Sequence, residues 1–141
     1  MDIQTCLEKR FLMKIVPSPD LIVKEIAEAE YDFEKAERAF SSKDWKWAIV
    51  MSYYCIFHSA RAVLFNIGFI EKRHFAIGVV LEDLNKQGKL ETKYVADFNA
   101  ALSSREDADY HYSYSKETAE YNLETSKNFL NRMKKMINAI K

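Results

Sequence analysis

From Ile22 onward, apolar positions recur at helical spacing. Ile22, Ile26, Ala29, Phe33, Ala36 and Phe40 step four and three residues at a time and line one face of a helix. Glu25, Glu28, Glu34, Lys35, Glu37 and Arg38 cover its other faces. Ser18 before Pro19 supplies its start, a side-chain acceptor followed by a residue that needs no amide partner. The segment Ser41-Ser42-Lys43-Asp44 supplies the turn that follows. A second helix, about residues 44–67, has almost no polar face: Trp45, Ala48, Ile49, Val50, Tyr53, Ile56, Phe57, Ala60, Val63 and Leu64 crowd every side. Such a helix is central in a bundle or shared with a second subunit. Gly68 ends it. A shorter third helix, about 72–86, carries Phe75, Val79, Val80 and Leu84 and closes at Gly88. A fourth, about 91–109, aligns Tyr94, Phe98, Ala101, Arg105 and Ala108. After the polar, tyrosine-rich stretch Tyr110-His111-Tyr112-Ser113-Tyr114, Ser115 reads as the N-cap of a last helix carrying Ala119, Leu123, Ser126, Leu130, Met133, Ile137 and Ile140.

Composition sharpens this pattern. The chain has 141 residues, the length of one domain, and 48% of them are apolar, enough for a core. It holds only 3 Gly and 2 Pro, whereas a β-rich domain of this size consumes turn residues freely. The fold class is therefore all-α: an up-down bundle of four long helices plus a shorter one over 18–141, preceded by an N-terminal arm over 1–17. Lys and Arg balance Asp and Glu at 21 each, which leaves no electrostatic footprint for non-specific nucleic-acid binding, so any such role rests on a local site. Cys6 and Cys55 are far apart, which fits a reducing, cytoplasmic setting and argues against a disulfide framework or a thiolate metal site. Charges interrupt every apolar run of the first 16 residues, so no signal peptide is expected, and no membrane partner either.

Charged residues on an apolar face are the first candidates for chemistry. Arg105 shares the stripe of Phe98 and Ala101, and Asp109 follows it at i+4. The pair either locks helix packing or aims an arginine, oriented by the aspartate, at an anion such as phosphate. His111 lies six residues beyond Arg105, about 120° away on a continuous helix, so the two converge only if the helix ends between them or two chains contribute. It reads either as a loop histidine or as a general acid or base. His58 is flanked by Tyr54 and Arg61 on the crowded second helix. It is a hydrogen-bonded core histidine or, if the fourth helix packs on the second, part of one network of His58, Tyr54, Arg61, Arg105 and Asp109. His74 reads as a surface or capping residue. No HExxH, GxGxxG or P-loop occurs, and neither a metal nor a cofactor is expected.

These residues resemble a known family. The segment Lys43 to Leu64, with Tyr53-Tyr54, then Phe57-His58, then Ala60-Arg61-Ala62, is similar to the second-helix signature of HEPN-domain proteins. Gly68 followed by His74 resembles the next loop of that family, and Arg105-Glu106-Asp107-Ala108-Asp109-Tyr110 resembles its Arg-x-x-Ala-Asp-Tyr element. The match in order and spacing runs over about residues 20–140, and the N-terminal arm resembles an extension of many archaeal and bacterial members. The resemblance implies a helical bundle that forms a homodimer. It also implies frequent pairing with a minimal nucleotidyltransferase, in several cases as toxin and antitoxin. Active ribonucleases of the family carry Arg-x(4–6)-His, and Arg105 and His111 fit with five residues between them. By that resemblance Arg105 stabilises the phosphate and His111 moves a proton from the ribose 2′-hydroxyl, without a metal. In the toxins paired with nucleotidyltransferases the motif is Arg-x4-His-x-Tyr. Here Tyr110 stands at the place of that histidine, and Tyr112 matches the final tyrosine. Two functions follow. One is a metal-independent endoribonuclease toxin acting as a dimer, with Asp109, Tyr110, Tyr112, His58, Tyr54 and Arg61 binding or orienting. The other is a non-catalytic module that holds a nucleotide or docks the nucleotidyltransferase.

Overall fold

A computed structural model describes residues 1–140, with side chains through Asn138. Ile140, counted above in the last apolar stripe, and Lys141 lie outside the described side chains. Six helices and a two-stranded sheet follow one another along the chain: α1 (Ile3–Glu8), β1 (Leu12–Lys14), α2 (Pro19–Ser41), α3 (Trp45–Ile67), β2 (Phe69–Glu71), α4 (His74–Lys86), α5 (Thr92–Tyr110) and α6 (Lys116–Ile140).

The caps read from the sequence are in place. Leu21 N–H donates to Ser18 Oγ at 3.5 Å, with Pro19 in the first turn of α2. Trp47 N–H donates to Asp44 Oδ1 at 3.3 Å, and Gly68 closes α3 in the left-handed region at φ 99°. Thr118 N–H donates to Ser115 Oγ at 3.1 Å at the head of α6. Each bond satisfies a backbone donor that the helix itself leaves unpaired.

The bundle is assembled around α3, which packs chiefly on α2 and α6 and then on α5. Ala48, Ile49, Tyr53, Ile56, Ala60, Val63 and Leu64 are all buried. By length and composition α3 could cross a bilayer, but its apolar surface is spent on neighbouring helices. The three-residue turn between α2 and α3 makes them an antiparallel hairpin, whose contact runs along Ala29 and Ala36.

The N-terminal arm over residues 1–17 packs on the main body. It folds back onto the bundle. Strand β1 pairs antiparallel with β2, with Leu12 opposite Glu71 and Lys14 opposite Phe69. Ile15 N–H donates to Gly68 O at 2.9 Å, and Lys72 N–H to Phe11 O at 2.8 Å. Cys6 of α1 and Leu12 of β1 enter the main core. The small sheet corrects a reading with no strands at all. Three-residue strands are too short to display alternation, and their pairing is decided by the Gly68 turn that presents β2 to the arm.

The last connection carries the end of α5. His111 N–H and Ser113 N–H both donate to Asp107 O, at 3.1 and 2.9 Å. Tyr112 takes the left-handed conformation at φ 54° that usually falls to glycine. The helix thus ends at Tyr110, between Arg105 and His111, which is one of the two conditions under which these residues could converge.

Candidate functional site

Helices α3, α4 and α5 meet at a cleft of about 520 Å³ lined by Tyr54, Arg73, His74, Phe75, Leu102, Arg105 and Glu106. Arg105 comes from the buried stripe of α5, where Phe98, Ala101 and Ala108 anchor the helix against the core. Its side chain is only 17% exposed and is held on three sides. Nη2 donates to the Tyr54 hydroxyl at 3.2 Å. Nε faces Asp109 Oδ2 at 3.1 Å as an ion pair. The guanidinium carbon lies 5.5–5.8 Å from the ring centres of Tyr53, Tyr54 and Tyr110. Burial works against the Arg105 charge, but Tyr54, Tyr110 and Asp109 outweigh it and carry the pKa above its ordinary value. The cleft therefore presents a permanently charged, pre-oriented fork, suited to a phosphoryl or carboxylate group.

The neighbouring tyrosine holds a second group. The buried Tyr53 hydroxyl and His74 Nδ1 share a hydrogen bond of 2.6 Å. The His74 ring lies against Phe57, with ring centres 4.4 Å apart, and stacks on Tyr53 at 5.9 Å. Burial, then the positive charges of Arg105, Arg61 and His58, push the His74 pKa below its ordinary value. Burial also pushes the Tyr53 hydroxyl up, so it stays protonated. Tyr53 and Tyr54 thus divide the work: one fixes the imidazole, the other the guanidinium.

A second polar cluster lies between α2, α3 and β2. His58 Nδ1 is bonded to Glu25 Oε2 at 2.6 Å, and Nε2 lies 3.7 Å from Asp32 Oδ2. Arg61 pairs with Glu71 at 2.6 Å and with Glu25 at 3.5 Å. Burial raises the pKa values of both Asp32 and Glu71, against the pull of His58 and Arg61 respectively. Glu28, Asp32 and His58 bring donor atoms within 4.8 Å of one another, the one such cluster of metal-type donors among the described residues. Glu25 and Asp32 already face the two ring nitrogens of His58, one by a hydrogen bond and the other at 3.7 Å.

The sequence profile of the HEPN domain matches residues 23–136, most of the chain. The chain belongs to the HEPN domain family. This HEPN protein is also 29% identical, over 117 residues, to a candidate toxin of Methanocaldococcus jannaschii; the match covers 81% of this chain and 80% of that protein. Within the HEPN fold, the sequence-derived residues separate into groups. Arg105, Asp109, Tyr54 and Tyr110 come together. His58 and Arg61 bond to acidic partners on α2 and β2 rather than to Arg105, because Glu25 and Asp32 lie on the α2 face turned to α3. Aromatic rings link the clusters: Tyr54 lies 6.3 Å from His58, and Phe57 lies 6.1 Å from Tyr54 and 5.1 Å from His58. His111 is 69% exposed at the end of α5, with Nδ1 turned to Asp107 Oδ1 at 3.1 Å. Tyr112 is exposed on the connection. The sequence did not single out Arg73 and gave His74 as a surface or capping residue. The missed signal was a Tyr-Tyr pair on a buried helix, since a buried hydroxyl needs a partner from another element.

Proposed function

We propose that this HEPN protein is a metal-independent endoribonuclease of the toxin type, with the Arg105 cleft as the docking place of an RNA phosphodiester. The observation that supports it most is the held guanidinium. Nη2 donates to Tyr54 and Nε faces Asp109 as an ion pair, while Nη1 has no protein partner among the described residues. Arg73 brings a second cation to the same cleft. Two arginines, Arg73 and Arg105, line one open cleft with a single acidic residue, Glu106, in a chain whose charges balance, and they supply the local phosphate-contacting groups that an RNA role demands. Charge that develops on the phosphoryl oxygens during cleavage would be met by donors already in position. The likeness to a candidate toxin is consistent with this reading.

In the proposed active form the protein is a homodimer. The groove between α2 and α6, lined by Ile22, Val23, Ile26, Ala27 and Ile137 beside the Lys134–Glu30 ion pair and Asn138, offers a partly apolar face for pairing. The test is RNA cleavage in the presence of a chelator. The wild type should cleave, and Arg105→Ala should lose about 10²–10³-fold in kcat with its helical content intact.

One observation favours the second reading, a non-catalytic module that docks a minimal nucleotidyltransferase or binds a nucleotide. Within one chain, His111 is exposed and turned to Asp107, so the Arg-x5-His pair does not close on itself. Absence of cleavage by the wild type, together with a stable complex with such a nucleotidyltransferase, would establish that reading.

A further inference from the structure

We propose that His74, and not His111, is the proton-accepting catalytic residue of the Arg105 cleft, and that Tyr53 is its positioning residue. This rests on the ribonuclease reading above and supplies the proton-transfer group that a single chain otherwise lacks.

Three observations converge on His74. It lines the same cleft as Arg105, Arg73 and Tyr54, so guanidinium and imidazole face one ligand space. Its Nδ1 is occupied by the Tyr53 hydroxyl at 2.6 Å, while Nε2 has no protein partner among the described residues. Tyr53 is fully buried, and its ring also lies under the Arg105 guanidinium at 5.8 Å. One rigid side chain therefore sets the spacing between the cation and the base. A general base needs a fixed ring, a free nitrogen and a neutral resting state, and His74 has the first two by geometry. The third comes from its surroundings: burial, together with Arg105 from α5 and Arg61 and His58 from α3, disfavours the imidazolium. Arg73 adjoins it at the head of α4, and Glu106 of α5 is the acidic residue of the cleft wall. His111 has the opposite character, exposed and tied to Asp107.

The step balances as follows. With Nδ1–H donating to the Tyr53 oxygen, Nε2 takes the proton of the ribose 2′-hydroxyl. The 2′-oxygen forms its bond to phosphorus, and the bond from phosphorus to the 5′-oxygen breaks. The leaving 5′-oxygen takes a proton from water in the open cleft, and the hydroxide left behind takes the proton from Nε2, which restores the neutral imidazole. The products are a 2′,3′-cyclic phosphate and a 5′-hydroxyl, and Arg105 offsets the charge on the phosphoryl oxygens.

The experiment measures cleavage of an RNA oligonucleotide in chelator by wild type, His74→Gln, Tyr53→Phe and His111→Ala, with kcat and KM followed against pH. His74→Gln should lower kcat by about 10²–10⁴-fold with KM nearly unchanged, and Tyr53→Phe should lower kcat less. His111→Ala should stay close to wild type. The wild-type profile should fall on an acid limb below pH 6.5, the ordinary histidine value. As a measurement independent of any variant, NMR of the wild-type imidazoles during titration with the 2′-deoxy oligonucleotide should move the His74 resonances and leave those of His111 in place. A wild type that cleaves, with His74→Gln equally active or His111 as the residue that responds, overturns the assignment alone. A wild type that does not cleave overturns the ribonuclease reading and the proton transfer with it.

Discussion

Arg105 is a charge on an apolar stripe, and its neighbours explain how the helix carries it. Asp109 and the Tyr54 hydroxyl replace water around the guanidinium, and the tyrosine faces add attraction of the cation to the rings. A lysine at this position keeps the charge but not the fork that reaches both partners at once. Arg105→Lys is therefore expected to bind RNA more weakly than wild type while melting close to it. Arg105→Ala leaves Asp109 and Tyr54 without their partner and is expected to cost about 1–3 kcal/mol, read by urea denaturation. His74 provides a pH-dependent companion measurement. Its folded pKa is lowered from the ordinary value of 6.5, so the unfolded chain binds the proton first as pH falls. Its contribution to stability is fully present above pH 6.5 and is lost as pH falls through the lower folded value. His74→Gln should flatten that part of the urea-midpoint profile, and an unchanged slope would show that another group sets it.

At the scale of elements, the glycine that ends α3 also seats the N-terminal arm. Gly68 has φ +99°, and a Cβ there would lie 3.2 Å from the Ile15 carbonyl oxygen, the same junction at which Ile15 N–H bonds to Gly68 O. Gly88, at φ +75°, has nothing within 4 Å of such a Cβ. Both alanine substitutions bear the cost of the left-handed backbone, about 1–2 kcal/mol, but only Gly68→Ala also strains the arm. Thermal denaturation should rank Gly68→Ala clearly below Gly88→Ala, and amide exchange should quicken across β1 and β2 in the former alone. The arm's place explains why its role was not legible from sequence. Cys6 and Leu12 are the single buried residues of elements six and three residues long, too short for a pattern to be read.

For the whole molecule, the bundle presents its cleft at one junction and a partly apolar groove between α2 and α6 at another. The proposed homodimer should give a solution mass of twice 16.5 kDa by light scattering, and a monomeric mass would remove the dimer from the proposed function. If His74 acts as proposed, each chain carries a complete cleft. Mixing Arg105→Ala with His111→Ala should then give activity in proportion to the His111→Ala content. A site shared between chains, with Arg105 from one and His111 from the other, would instead leave each variant inactive alone and recover activity only in the mixture.

The sequence by itself determined the helices, their caps and the family. Those features depend on local spacing: four-and-three apolar steps, side-chain acceptors ahead of helix starts, and a dense Tyr-Tyr to Arg-Ala signature on one helix. It also made Arg105 and Asp109 visible, because i+4 partners on one helix are neighbours whatever the fold. Tertiary structure decided which polar residues meet across helices. Tyr53 and His74 are 21 residues apart and share no helix, and Arg61 and Glu71 meet because β2 turns back beside α3. Spacing along the chain cannot reveal such partners. They are fixed by the packing of α4 and α5 on α3, which presents a buried hydroxyl to an imidazole and an arginine to an open cleft.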